Sequence, residues 1–121
     1  MTKIQNSKQY DLEERTFKFA KRIRQFVKKL PRIIANIEDE KQLIRASGSV
    51  GANYIEANEA LSKKDFLFRI KICRKEAKES GYWLKLVDTD NKENLEKERK
   101  ELIQEATELM NIFGSIIRKS E

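Results

Sequence analysis

The sequence predicts an all-α protein, an antiparallel up-down bundle of four helices. Three observations carry that expectation. The 121 residues include one proline and four glycines, and 38% are charged, a composition poor in turn formers and rich in Lys, Glu, Leu and Ile. Apolar residues recur in steps of four and three along four stretches, the period of a helix with one buried stripe. Short links separate those stretches, and short links join antiparallel neighbours. The length suits one domain with its own core rather than two.

Residues 1–10 lack periodicity and are expected to be a flexible N-terminal segment, ahead of a single bundle over 11–119. Helix one is expected over about 11–30, with Asp11 capping and Glu14 completing a capping box. Its stripe is Leu12, Thr16, Phe19, Ile23, Phe26 and Leu30, and Pro31 either breaks or kinks the helix. Helix two is expected over about 37–61 with two apolar rows. One is Leu43, Val50, Tyr54, Ala57 and Leu61; the other is Ile44, Gly48, Gly51 and Ile55. Two rows suit a helix buried both in its own bundle and against another subunit. Gly48 and Gly51 each cost roughly 1 kcal/mol against Ala in a helix interior. They mark either a close approach by a neighbour or a bend, and Gly48, Gly51 and Ala52 are assigned to close helix packing or a subunit contact.

Helix three, about 63–87, follows Ser62 as N-cap with Asp65 three residues on, and its seam is Phe66, Ile70, Cys73, Ala77, Ser80, Leu84 and Val87. Helix four, about 91–118, follows Asp90 with Glu93 as box partner, and its seam is Leu95, Arg99, Leu102, Ala106, Leu109, Phe113 and Ile116.

Charge alternates along the chain beneath the net +6. Ten Lys/Arg face three acids in 1–35, two face five in 36–61, eight face three in 62–87, and six face nine in 88–121. Either neighbouring helices attract one another, or the first and third make a basic surface. On helix one, Arg15, Lys18, Arg22, Lys29 and Arg32 fall near one face; on helix three, Lys64, Lys71, Lys78 and Lys85 repeat every seven residues. Such rows either track phosphates or form a solvated face. No base-reading motif accompanies them, and the aromatics lie mostly in or beside the core stripes.

Enzymatic chemistry finds little footing. There is no histidine, the commonest general base and transition-metal ligand. Glu56, Glu59, Glu76 and Glu79 offer either an all-carboxylate metal site or, more simply, a structural network with Arg45, Arg74 or Lys75. Cys73 sits on the helix-three seam with no activating base, as a buried structural cysteine does. Gly48-Ser49-Val50-Gly51 is neither a nucleophile elbow nor a phosphate loop. No cofactor and no metal are expected. The longest uncharged run, Ala46–Ile55, is too short to span a bilayer, and no apolar stretch follows a basic N-terminus, so a cytoplasmic protein is expected.

Arg45, Ser49, Ala52, Asn53 and Glu56, followed by Glu79, Tyr82, Trp83 and Leu84, resemble the motifs of the four-helix bundle family encoded by intervening sequences in bacterial 23S ribosomal RNA genes. The likeness spans roughly residues 10–87. Many relatives have proline where this chain has Gly51. The resemblance implies an up-down bundle assembled as a homopentamer ring, without enzymatic activity. It also implies kinship with the accessory protein of diversity-generating retroelements, which has a basic outer surface and binds nucleic acid and a reverse transcriptase.

The expected function is therefore a non-enzymatic, oligomeric bundle that binds structured RNA through Lys18, Arg22, Lys29, Lys71, Lys78 and Lys85. Arg45, Ser49, Asn53, Glu56, Glu76 and Glu79 are expected to form a polar network fixing helix register or the subunit contact. The alternative is a scaffold for another polypeptide with no nucleic-acid role.

Overall fold

Breakers and turn residues divide the chain into four helices: α1 (Lys3–Val27), α2 (Ile34–Asn58), α3 (Lys63–Leu86) and α4 (Glu93–Ser120). The computed structural model describes the backbone of residues 3–121 and the side chains of residues 12–121, and no strand occurs among them. Each helix packs on the next, and α4 returns to α1, so the four surround one core.

Helix α1 begins at Lys3, eight residues before the start expected at Asp11. Residues 3–10 hold no Gly or Pro, so nothing in them stops a helix from propagating backward. The side chain of Asp11, with its expected cap, and those of the expected flexible segment 1–10 lie outside the described residues. Of the expected stripe, Thr16, Phe19, Ile23, Phe26 and Leu30 are buried, and Leu12 packs half-buried at its edge. The helix ends ahead of Pro31 rather than kinking through it, closing with Lys29 N–H on Phe26 C=O (3.0 Å) and Leu30 N–H on Val27 C=O (3.2 Å).

Helix α2 lies three residues upstream of the expected span at both ends. At its start no side chain caps the backbone; the first turn is held instead by Asn36, 1% exposed. The Asn36 Nδ2 donates to Pro31 C=O (3.0 Å) and Asp88 C=O (2.9 Å), and Oδ1 accepts from Asp88 N–H (2.8 Å). This clasp ties the α1–α2 link to the α3–α4 link. At the far end, Leu61 lies beyond the helix and is 100% exposed, not part of the core row. Leu43, Val50, Tyr54 and Ala57 form that row, and Tyr54 meets Phe113 of α4 at 5.9 Å between ring centroids.

Of the two α2 glycines, Gly51 marks a close approach by a neighbouring helix. A Cβ on Gly51 would stand 2.9 Å from Thr16 Oγ1 and 3.2 Å from Thr16 Cβ, while one on Gly48 would meet only the guanidinium end of Arg24 at 3.2 Å. Thr16 cannot retreat, because it is buried with its hydroxyl donating to Leu12 C=O (2.8 Å). Gly51→Ala is therefore expected to destabilise by about 1–2 kcal/mol despite its better helix propensity, since overpacking outweighs the gain. Gly48→Ala is expected to be neutral or stabilising by up to about 1 kcal/mol, because a flexible arginine tip moves aside. Urea melts of the two variants check the opposite signs.

Helix α3 opens as the sequence indicates, with Ser62 Oγ accepting from Asp65 N–H (3.0 Å). Helix α4 does not open at Asp90. Asp90 and Asn91 take left-handed backbone angles (φ 58° and 55°), which short polar side chains tolerate in turns, and Lys92 becomes the N-cap. The α4 seam is buried at Leu95, Leu102, Ala106, Leu109 and Phe113, then shifts from the expected Ile116 to Ile117. A 3.6-residue helix drifts from a 3.5-residue repeat by about one position over such a length.

Candidate functional site

The two basic rows have different surroundings. On α1, Arg15 Nε and Nη2 grip the Glu105 carboxylate (2.7 and 2.9 Å), and Nη2 also reaches Glu108 (2.8 Å). The hydrogen bond to Glu105 raises the Arg15 pKa, outweighing its partial burial. Arg22 pairs with Glu101 (3.1 Å) and Lys29 with Glu98 (2.6 Å). Lys18 pairs with Glu14 one turn back (3.0 Å). The sevenfold spacing of 15, 22 and 29 thus meets an acidic row on α4. Of the two readings of the α1 charges, attraction between neighbouring helices is the one the contacts match.

On α3, Lys78 and Lys85 are exposed and make no ion pair among the described residues, and Lys71 makes one long contact with Glu121 (3.9 Å). The adjoining side of α4 carries no acid there. Its residues along α3 are Ile103, Ala106, Thr107 and Met110, then Gly114, whose surface is overlain by Arg118 of α4 and Arg74 of α3. Glu98, Glu101, Glu105 and Glu108 of α4 thus meet the α1 side, and the seam with α3 is bordered by Lys71, Arg74, Lys78, Lys85 and Arg118.

A shallow groove of about 310 Å³ runs along this seam. Ala77, Gly81 and Ala106 line it together with Ile103 and Met110, and Lys78, Tyr82, Lys85 and Thr107 also border it. Tyr82 is 57% exposed, so an aromatic does lie between two basic residues. Tyr82 is thus an exception to the expectation that the aromatics lie mostly in or beside the core stripes; the i, i+4, i+7 spacing of Lys78, Tyr82 and Lys85 was the sequence feature that marked it.

The expected polar network forms as two separate pieces. Arg45 spans α2 to α3, reaching buried Glu76 (3.2 Å) and Glu79 (3.7 Å). Eight residues on, Asn53 Nδ2 donates to Ser49 C=O and Oγ (both 2.9 Å), while Arg69 Nη1 donates to Asn53 Oδ1 (3.0 Å). Arg69 is a member that sequence reasoning missed. Glu56 belongs to neither piece: it is exposed and makes no ion pair among the described residues. Ala52 is likewise exposed, on the outer side of α2 beside half-exposed Ile55.

The four glutamates Glu56, Glu59, Glu76 and Glu79 do not converge, and no group of three or more Asp, Glu or Cys placed to hold a metal ion occurs among the described residues. Burial pushes the Cys73 thiol up to about 12, and its Sγ–H donates to Val50 C=O (3.3 Å), the environment of a structural cysteine. No described helix is long and apolar enough to cross a membrane.

One carboxylate is poorly accommodated. Glu40 of α2 is buried; Arg32 holds Oε1 at 3.3 Å, while Oε2 has no hydrogen-bond partner among the described residues. Burial raises the Glu40 pKa against the pull of Arg32. A carboxyl whose folded pKa lies above its unfolded value, about 4.3, favours the fold when protonated. That stabilisation is full below the unfolded pKa and is lost as pH rises through the folded one. Glu40→Gln is therefore expected to raise the melting temperature at pH 7 and to change it little at pH 4. A lower melting temperature at pH 7 would mean that the Arg32 pair outweighs the desolvation.

Comparison with known proteins fits this architecture. A solved structure of a protein of unknown function from the S23 ribosomal protein family of Bacteroides thetaiotaomicron VPI-5482 superposes with a TM-score of 0.76 at 29% identity, over 92% of this chain and 98% of that one. No match is found among curated proteins. The sequence profile of 23S rRNA-intervening sequence proteins matches residues 8–115. The chain belongs to the family of 23S rRNA-intervening sequence proteins.

Proposed function

We propose that the protein is a non-enzymatic, oligomeric four-helix bundle that binds the phosphate backbone of structured RNA through the α3 side. The observation that carries this reading is the asymmetry of the basic rows. Acids of α4 neutralise the α1 row, whereas Lys78 and Lys85 face solvent beside Lys71, Arg74 and Arg118. Of the six residues expected to meet nucleic acid, Lys71, Lys78 and Lys85 retain that role here, Arg22 and Lys29 hold α4 against the α1 side, and Lys18 pairs with Glu14 on its own helix. Unpaired, aligned ammonium groups attract phosphates and release counterions, which makes the affinity steeply salt-dependent.

The ion-pair register supports an antiparallel bundle, since Arg15, Arg22 and Lys29 meet Glu105, Glu101 and Glu98 in descending order. The exposed Ala52 and Ile55, three residues apart on one face of α2, support assembly of identical chains through that helix. A pentamer would have five times the 14.3 kDa chain mass by light scattering. The binding experiment titrates nuclease-treated protein with a structured ribosomal RNA fragment and with duplex DNA across a salt series. Tight, salt-steep binding that favours RNA supports the reading. Absence of binding to both even at about 50 mM salt, where phosphate contacts are strong, overturns it and leaves a scaffold for another polypeptide.

A further inference from the structure

Resting on the α3-side reading just given, we infer that the groove at Gly81 and Tyr82 is a slot for one unpaired nucleobase, so that the preferred ligand is single-stranded RNA or an unpaired loop rather than continuous duplex. Lys78, Tyr82 and Lys85 lie on one face of α3 and span about 10 Å along the axis at 1.5 Å per residue. A cation thus stands on either side of an exposed aromatic ring. That is the arrangement in which a base stacks on the ring while its flanking phosphates meet the two ammonium groups. A duplex keeps its bases stacked on one another and offers the ring nothing to hold.

The groove beside the ring fits a flat, mostly apolar object. Its volume of about 310 Å³ is at the small end of ligand sites. Small residues (Ala77, Gly81, Ala106) and the half-buried Ile103 and Met110 line it, and the Thr107 hydroxyl lies on the α4 side. Gly81 points the same way. It has no positive φ, and a Cβ there would meet only Ala106 Cβ at an ordinary 4.0 Å. Packing does not require glycine at this helical position, and glycine costs helix stability. Its effect is to keep the floor of the groove low. Tyr82 makes an edge contact with Trp83, ring centroids 5.0 Å apart at 77°. Trp83 is the only tryptophan in the chain, so its fluorescence reports on Tyr82.

The test compares a single-stranded oligoribonucleotide of about ten nucleotides, within the range of single-strand sites, with an RNA duplex of the same length. Fluorescence of Trp83 and anisotropy of labelled RNA are followed for wild type, Tyr82→Ala, Tyr82→Phe, Gly81→Ala and the double reversal Lys78→Glu/Lys85→Glu. Tyr82→Ala should weaken single-strand binding about tenfold, as loss of one base–aromatic stack does, and leave duplex binding unchanged. Tyr82→Phe should bind as wild type. Gly81→Ala should raise the melting temperature yet weaken single-strand binding, a combination that a purely structural glycine would not give. Equal affinity of Tyr82→Ala and wild type for the single strand overturns the slot; if the double reversal still abolishes binding, the α3 surface reading survives it. Failure of every RNA to bind overturns both. Binding of an acidic amphipathic peptide that depends on Tyr82, with no RNA bound, assigns the groove to a polypeptide instead.

Discussion

Asn36→Leu is expected to lower the unfolding free energy by about 2–4 kcal/mol, because truncating a hydrogen-bonded buried amide strands its former partners. Three bonds of 2.8–3.0 Å disappear together, leaving two carbonyls and one N–H where two interhelical links meet. Leucine keeps the approximate volume, so the loss measures polar satisfaction rather than a cavity. At this chain length each kcal/mol moves the melting temperature by roughly 3–6 °C, so the shift is well resolved. Asn36→Asp is a sharper variant. Its carboxylate still accepts from Asp88 N–H but confronts two carbonyl oxygens that the amide had satisfied. It is expected to be at least as destabilised as Asn36→Leu at pH 7 and to recover in part below pH 4, where the acid protonates. Thermal melts at the two pH values check this. A loss under about 1 kcal/mol in Asn36→Leu would mean that water replaces the clasp.

The second large effect separates the two basic rows. Arg15→Glu is expected to cost about 2–3 kcal/mol, since it removes a bidentate, part-buried pair and places a third carboxylate beside Glu105 and Glu108. Lys78→Glu with Lys85→Glu should change stability by no more than about 0.5 kcal/mol, as exposed substitutions without partners do. Nucleic-acid binding should show the reverse pattern. The α3 double reversal should lose more than about tenfold in affinity at moderate salt, and a folded Arg15→Glu should lose little. Chemical melts and titrations on the same preparations compare the rows directly. Equal loss of binding in the two would mean that the α1 row also faces the ligand.

The parts legible in the sequence are those whose cause is local. The 4-3 seam of α3 and the Ser62 cap depend on residues within one or two turns, and both stand as expected. The glycine at position 51 was legible as a close approach because an interior glycine costs stability without compensation otherwise. Its partner, Thr16, lies 35 positions away, and its identity required the packing of α1 on α2. The start of α1 was misplaced because Asp11 and Glu14 make a plausible cap wherever they occur, while only the absence of breakers upstream argued against it. Asp90 offered the same chemistry, but the link placed it in a left-handed turn.

The candidate site was half legible. Heptad spacing identified Lys71, Lys78 and Lys85 as one row, since 1.5 Å rise and 3.6 residues per turn fix that geometry alone. Whether a row is neutralised depends on which helix lies beside it, and the alternating charges of the four segments fitted both outcomes. Lys29 and Glu98 meet across 69 residues, a pairing no local pattern reports. Asn36 escaped notice for the same reason: its partners are distant backbone groups, which leave no trace in side-chain periodicity. Glu56 was grouped with Arg45 because both belong to the helix-two motif, yet it is exposed and joins neither Arg45 nor Glu76.

The central claim is that phosphates meet the α3 side and not α1. The most direct test is the slope of log affinity against log salt for structured RNA, measured for wild type, for Lys78→Ala/Lys85→Ala and for Lys18→Ala/Arg22→Ala. Each phosphate contact contributes about 0.7–0.9 to that slope. The α3 pair should therefore flatten it by roughly 1.5, and the α1 pair should leave it unchanged. An unchanged slope in the α3 variant, or an equal flattening in the α1 variant, would contradict the account.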